Sequence, residues 1–295
     1  MENAGATQEF LVHILKKVMN HEAIKATDIV KYYNAGADIY KYDNYALKLV
    51  LYTGKRRDIM SCLHMFLQRK GCFPLGTSIH DATVRPDDIL REVTGGTSEG
   101  LHDINKFYLL FNDERCPIEV VLDREDIAAK TKFEIVDTML KYILDNRTMT
   151  SKTNATKVLE KLLYLDTAGV RDMVKSIKRH LGITLDRQVV HRILNDDILD
   201  VKRVAQMNPG VLYDIFTENF DMVQPDSMAI FYGICIKFRD NRSPFTRFTH
   251  YIEEYLYQNV GPKGRELIEL TLLYCTDRFR KSSYYKWMSE GTLSR

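Results

Sequence analysis

The chain has 295 residues, 45% hydrophobic and 28% charged, and its 42 Lys plus Arg against 40 Asp plus Glu leave a formal charge of +2. That mix excludes wholesale disorder and a collagen-like fibre, and the near balance of charge lacks the basic excess of a dedicated nucleic-acid coat. Lys, Arg, Asp or Asn interrupts every apolar run before it reaches the roughly 20 residues of a bilayer span, so no membrane partner is expected. The opening residues 1–9 lack the basic and apolar stretches of a cleaved signal, so the expectation is a chain that stays where it is made. Cys62, Cys72, Cys116, Cys235 and Cys275 are odd in number, scattered, and free of C-x-x-C or zinc-type spacing. They read as reduced, mostly buried thiols, which fits a cytoplasmic or nuclear location. Sequons begin at Asn146, Asn154 and Asn241 but matter only in a secreted chain.

Residues 8–20 predict the first helix, because Phe10, Leu11, Ile14, Leu15, Val18 and Met19 recur on one helical face while Lys16 and Lys17 take the other. Residues 27–34 read as a second, short helix ended by Gly36, which adopts a left-handed cap cheaply. Residues 37–44 read as an extended stretch with a turn, followed by a third helix over 45–52 that Gly54 breaks. A fourth helix over 58–69 stops at Gly71, 35 residues after Gly36. This grammar of helix, turn, helix and stop recurs downstream. Residues 133–144 form an amphipathic helix ending near Asn146, residues 153–165 put Val158, Leu159, Leu162 and Leu163 on one face, and a helix over 170–180 ends at Gly182, 36 residues after Asn146. Short helices over 188–194, 199–207 and 211–220 follow, punctuated by Asn208-Pro209-Gly210 and Pro225. Two stretches break the period. Residues 73–102 carry Pro74, Gly76, Pro86, Gly95, Gly96 and Gly100 and read as a long irregular insertion with one helix over 86–93. The C-terminal part is richer in aromatic and basic residues, with Lys237, Arg239, Arg242 and Arg247 near Phe238, Phe245 and Phe248, and reads as a cap of different design.

The segment Gly36-Ala37-Asp38-Ile39-Tyr40-Lys41-Tyr42-Asp43-Asn44-Tyr45-Ala46-Leu47-Lys48-Leu49-Val50, followed by Gly54, resembles an ankyrin repeat. It is similar in particular to the ankyrin proteins of large cytoplasmic DNA viruses, in which a G-A-D-I start, a D-N-Y-A-L helix opening and a V-V-K-Y-L-like helix are frequent. Asp28-Ile29-Val30-Lys31-Tyr32-Tyr33 resembles the last of these. Cys116-Pro117-Ile118-Glu119-Val120-Val121 is similar to the family's T-P-L-H-x-A, and Phe133-Glu134-Ile135-Val136 stands in place of its L-E-I-V. Residues 185–207 are a weaker third match. The chain departs from the pattern where Tyr45 and Cys116 replace its capping Thr, and where Lys48 and Glu119 replace its His. The local physics is visible without the family: Pro117 suits the first turn of a helix, where its missing N–H costs nothing, and Leu47, Val50, Ile118 and Val121 are spaced to meet the next hairpin.

The resemblance implies stacked helical hairpins that bind another protein. It implies a finger made by Tyr40, Lys41 and Tyr42, projecting beside a concave binding face, with Lys48 and Tyr52 on the adjoining helix and Asp113, Arg115 and Glu119 at the second match. Exposed Tyr beside Lys makes a good contact surface, because aromatic side chains give large area at small entropic cost. Tyr40 and Tyr42 also suit the covering of neighbouring repeats. Some viral ankyrin proteins end in an F-box-like segment that recruits ubiquitin ligase; residues 264–273 are helical in pattern but lack its Leu-Pro opening.

Chemistry-bearing motifs are sparse. Gly95-Gly96-Thr97-Ser98-Glu99-Gly100 lacks the Lys of a nucleotide-binding loop, and neither G-x-S-x-G nor H-E-x-x-H occurs. Cys62 and His64 share one amphipathic helix, which favours a core thiol and a helix-face imidazole over a catalytic pair. Asp196, Asp197 and Asp200 have oxygen ligands for a cation, but they sit at an expected helix start, where carboxylates favour the helix dipole. Arg278, Arg280, Lys281, Lys286 and Trp287 are candidate nucleic-acid contacts that also suit a solvated helix end, the reading we favour.

The expectation is therefore an all-α protein: ankyrin-like hairpins over 1–146 with the insertion at 73–102, degenerate helical repeats over 147–225, and a helical cap over 226–295. It is expected to be a non-enzymatic adaptor without cofactor or metal, and the resemblance implies a viral factor binding a host protein in the host cytoplasm, with the nucleus as a second location. The alternative is a nucleic-acid-associated or virion structural protein acting through the basic aromatic C-terminal part.

Overall fold

A computed structural model of the chain describes residues 3–68, 72–75, 115–146, 151–200, 203, 206–224 and 227. The expected helix over 86–93, most of the insertion, Asp113, Cys235, Cys275, the Asn241 sequon, and the C-terminal cap with Arg278, Arg280, Lys281, Lys286 and Trp287 lie outside the described residues. The described residues are helical, with no strand among them. The chain divides into two compact units, residues 1–158 and 159–295.

In the first unit, α1 (Ala4–Met19) opens earlier than periodicity suggests, because Asn3 caps it: the Asn3 side chain accepts the Ala6 N–H at 3.2 Å. Phe10, Leu11, Ile14, Leu15 and Val18 are buried as a single face. A buried aliphatic or aromatic side chain of this kind contributes about 1.5–3 kcal/mol. Helix α2 (Ala26–Asn34) ends before Gly36, whose φ of 87° is the left-handed value expected of it, and the Gly36 carbonyl accepts the N–H of Asn3 at 3.0 Å. Helices α3 (Lys41–Thr53) and α4 (Arg56–Leu67) form the second hairpin, and α5 (Pro117–Leu122) with α6 (Ala129–Asn146) the third. Pro117 occupies the first turn of α5 as expected.

Each hairpin packs its own two helices together. The first helices also pack in the order α1, α3, α5 and the second helices in the order α2, α4, α6. The middle of the first row is closed on every side: residues 44–51 of α3 are all buried, with Ala46, Leu47 and Leu51 fully so.

The extended stretch expected over 37–44 is corrected. Asp38 donates its N–H to Thr7 Oγ1 at 2.8 Å and accepts the Tyr40 N–H on its carboxylate at 2.9 Å, so the chain turns within a few residues and α3 begins at Lys41. Asn44 marks the place where a helix start was expected, with φ at 63° in the first turn of α3. Its buried side-chain amide exchanges hydrogen bonds with the backbone of Phe73, accepting the N–H at 3.3 Å and donating to the carbonyl at 3.5 Å.

The division between units falls inside α7 (Lys152–Leu162). In the second unit, α8 (Val170–Leu181) runs between two glycines at positive φ, Gly169 at 90° and Gly182 at 60°. Helix α9 (Arg187–Asn195) is capped by Asp186, whose carboxylate accepts the Gln188 N–H at 2.7 Å. A helix expected from residue 199 is corrected at its start: Leu199 closes a 3-10 turn, Asp197–Leu199, while Arg203 and Gln206 are helical. The triplet Asn208-Pro209-Gly210 is a helix start where a break was expected, opening α10 (Pro209–Glu218). Asn208 Oδ1 accepts the N–H groups of Gly210 and Val211 at 3.1 and 3.2 Å, and Pro209 takes the first turn. Helix α10 packs on α8 through ion pairs: Arg171 grips Asp214 with two bonds of 2.9 and 2.6 Å, and Lys178 pairs with Glu218.

Candidate interaction surface

Helix α5 is two turns long and ends at a short charged loop, Asp123-Arg124-Glu125-Asp126, before α6 begins. Arg124 turns inward, with its side chain 11% exposed. Its Nη1 donates to the carbonyls of Leu51 and Gly54, both at 2.7 Å, satisfying carbonyls at the C-terminal end of α3 that lack helical partners. Its other edge clasps Asp126 at 2.9 and 2.6 Å, and these bonds hold the Asp126 carboxyl below the usual carboxylate range. Lys132 donates to the Leu122 carbonyl at 2.8 Å, and burial pulls its ammonium down against the opposing pull of Asp123, Glu125 and Asp126.

Arg115, just before α5, spans the short helix to pair with Asp123 at 3.1 Å. Beside this pair a depression of about 300 Å³ opens, walled by Tyr52 at the end of α3 and by the 123–126 loop, with Val120 beneath. Tyr52 is 38% exposed and is the one large hydrophobic side chain exposed among the described residues. Glu125 is exposed and makes no hydrogen bond or ion pair among the described residues, although its carboxylate is near enough to act on the Lys132 ammonium. A second depression of about 350 Å³ lies one hairpin away, on the other side of the loop joining α3 to α4. Thr53, Gly54 and Lys55 form one side of it, His21 and Glu22 of the α1–α2 loop the other, and Val18, Ile24 and Val50 line its base. Gly54 is required by space: a Cβ there would lie 2.6 Å from the Val50 carbonyl oxygen and 2.9 Å from Ile59 Cγ1.

Of the residues singled out in the sequence as partner contacts, the structure brings Tyr52 and Arg115 to one depression. Tyr40 faces inward, its hydroxyl donating to the Phe66 carbonyl at 3.0 Å and its ring edge-on to Phe66 at 6.1 Å. Lys41 opens α3, and the backbone of Tyr42 lies in its first turn. Lys48 is 8% exposed and Glu119 2%, both inside the row of first helices and not on a surface. Glu119 bonds the N–H of Cys116 at 3.0 Å, closing the start of α5, which a helix opened by Cys in place of Thr needs from another side chain. Sequence reading missed Arg124, Glu125 and Asp126. The density of charge after the Pro117 helix was a visible signal for a loop, but the carbonyls that Arg124 serves lie 73 and 70 residues away.

The chemistry-bearing residues behave as structural groups. Cys62 is buried, its thiol directed at the Ile24 carbonyl at 3.4 Å, while His64 is exposed on α4. Asp197 is 3% exposed and takes bonds from Arg192, Arg203 and the hydroxyl of Tyr164. A carboxylate committed to two guanidinium groups and a hydroxyl is an ion-pair anchor, and no cluster suited to a metal occurs among the described residues. None of the helices searched there is long and apolar enough to cross a membrane. Compared with protein-family models, with curated proteins and with solved structures, the chain matches none of them.

Proposed function

We propose that the chain is a non-enzymatic scaffold of ankyrin type, in which stacked helical hairpins bind another protein. The observation that carries the reading is the packing order of the first unit, first helices along one row and second helices along the other, which is how repeated hairpins bury faces that none can bury alone. Gly36 and Gly182 at positive φ and Pro117 in the first turn of α5 support the same grammar. The particular form the sequence resemblance implies is a viral adaptor that engages a host protein in the cytoplasm.

The test is cross-linking mass spectrometry of the tagged full chain in nuclease-treated eukaryotic lysate. The expected result is a specific protein cross-linked to the hairpins within residues 1–158. Recovery of nuclease-sensitive material alone, or of cross-links confined to residues beyond 227, overturns the reading and supports the nucleic-acid alternative.

A further inference from the structure

The reading above leaves the binding face open, and the burial of α3 constrains it. Residues 44–51 are buried all round, so the middle of α3 presents no face to a partner and, among the described residues, only its C-terminal end, at Tyr52 and Thr53, is exposed. At the loop edge the situation reverses: two depressions lie in succession, separated by the junction of α3 and α4. Resting on the scaffold reading, we propose that this edge takes an extended segment of a partner protein, with a Lys or Arg side chain seated between Tyr52 and Glu125.

The charge pattern selects the cation. Three carboxylates line the 123–126 loop side of the depression against two guanidinium groups and the nearby Lys132 ammonium, and all three cations are committed, Lys132 to the Leu122 carbonyl. Arg124 is drawn inward onto the Leu51 and Gly54 carbonyls and onto Asp126, and Arg115 is held on Asp123. Asp123 and Asp126 are both exposed but each is paired with a guanidinium group, and the exposed carboxylate without one is that of Glu125. Beside it, the exposed ring of Tyr52 offers a π-face to the same cation. An acidic side chain placed there would meet Glu125 and the negative face of the ring together, which is the discrimination the site imposes.

The spacing selects the extended segment. Packed helices lie about 8–10 Å apart, so the second depression is about that far along the edge from the first. An extended segment in the polyproline II conformation has three residues per turn and rises about 3.1 Å per residue, so side chains three positions apart lie on one face about 9 Å from each other. A side chain three positions from the cation therefore reaches the second depression, whose base of Val18, Ile24 and Val50 suits an apolar group.

Selection of a random linear peptide library on the immobilised full chain tests this, followed by fluorescence anisotropy of the selected peptides on wild type, Tyr52→Ala, Glu125→Lys and the control Lys157→Ala on α7, with circular dichroism to verify folding. The expected consensus is a basic residue with an apolar residue three positions away. Binding should weaken at least about tenfold in Glu125→Lys, severalfold in Tyr52→Ala, and not in the control. Selection of acidic peptides, no enrichment, or affinity unchanged in Glu125→Lys overturns the site. So does self-association of the chain that Glu125→Lys abolishes, since the edge would then hold a second copy. Peptides that bind but ignore both substitutions remove this site and leave the scaffold reading to the cross-linking result.

Discussion

Asn208 shows how much one polar side chain decides. It is 6% exposed, its Oδ1 caps α10 through the N–H groups of Gly210 and Val211, and its Nδ2 donates to the carbonyls of Leu165 and Thr167 at 3.2 and 3.3 Å. Its own N–H bonds the Leu163 carbonyl at 2.6 Å, so the turn after α7 and the start of α10 are held by one residue. Losing the cap costs about 1 kcal/mol, and orphaning buried carbonyls adds about 1–3 kcal/mol. Asn208→Ala should therefore destabilise the second unit by about 2–4 kcal/mol, and Asn208→Ser, which keeps a capping oxygen but no amide, by about half as much. Urea unfolding of the full chain checks this; equal losses in the two variants would mean that the amide contributes nothing. Asn44 works in the same way in the first unit, combining a left-handed backbone that Asn tolerates with a side-chain amide that mimics a backbone pairing to Phe73.

At the scale of elements, Arg124 joins the second hairpin to the third. A helix C-terminus leaves carbonyls without partners, and here a guanidinium from the next hairpin supplies the donors for α3. Arg's planar fork reaches two carbonyls and a carboxylate at once, which the single ammonium of Lys does not. Arg124→Ala should cost about 2 kcal/mol and Arg124→Lys about 1 kcal/mol, read as shifts in the denaturation midpoint of the first unit. A Lys variant as stable as wild type would show that the fork geometry is irrelevant. The Lys175–Asp214 pair between α8 and α10 differs from this joint, because the Lys175 side chain is 45% exposed and such surface pairs add little.

For the whole molecule, the buried acidic protons set an alkaline limit on stability. Burial pushes the Cys62 and Cys72 thiols from an ordinary 9.0 up to about 12, with Asp58 and Asp28 adding to the rise at Cys62. Burial pushes Cys116 and Tyr45 well up, and with Asp197 raises Tyr164 from 10.0 to about 12. In each case the fold favours the protonated form, so the contribution is complete below pH 9 and is lost as pH rises from 9 towards 12. The thermal midpoint should accordingly fall steeply above pH 9. At pH 7, iodoacetamide with peptide mapping should leave Cys62, Cys72 and Cys116 unmodified until denaturant is added, since all three are free and buried. Rapid native labelling of any of them would contradict the packing of the first unit.

The helices and their punctuation were legible in the amino-acid sequence because they rest on local physics. Apolar periodicity placed α1, α2, α4 and α8 within a few residues, Gly36 and Gly182 stopped helices through the conformation only glycine adopts cheaply, and Pro117 marked a first turn. The free, buried state of Cys62, Cys72 and Cys116 followed from the odd number and scatter of the cysteines and their lack of C-x-x-C or zinc-type spacing. What only the tertiary structure decided were the roles that depend on a distant partner. A Thr7 hydroxyl 31 residues away turns the expected extended stretch into a tight entry to α3, and Asn208 becomes a cap and clamp instead of a break. Lys48 and Glu119, polar in the sequence, are buried, while Arg124 is drawn inward and Glu125 beside it is left outward. Periodicity reports which face of a helix is apolar, but which charged side chain finds a carbonyl is settled only when segments far apart in the chain pack together.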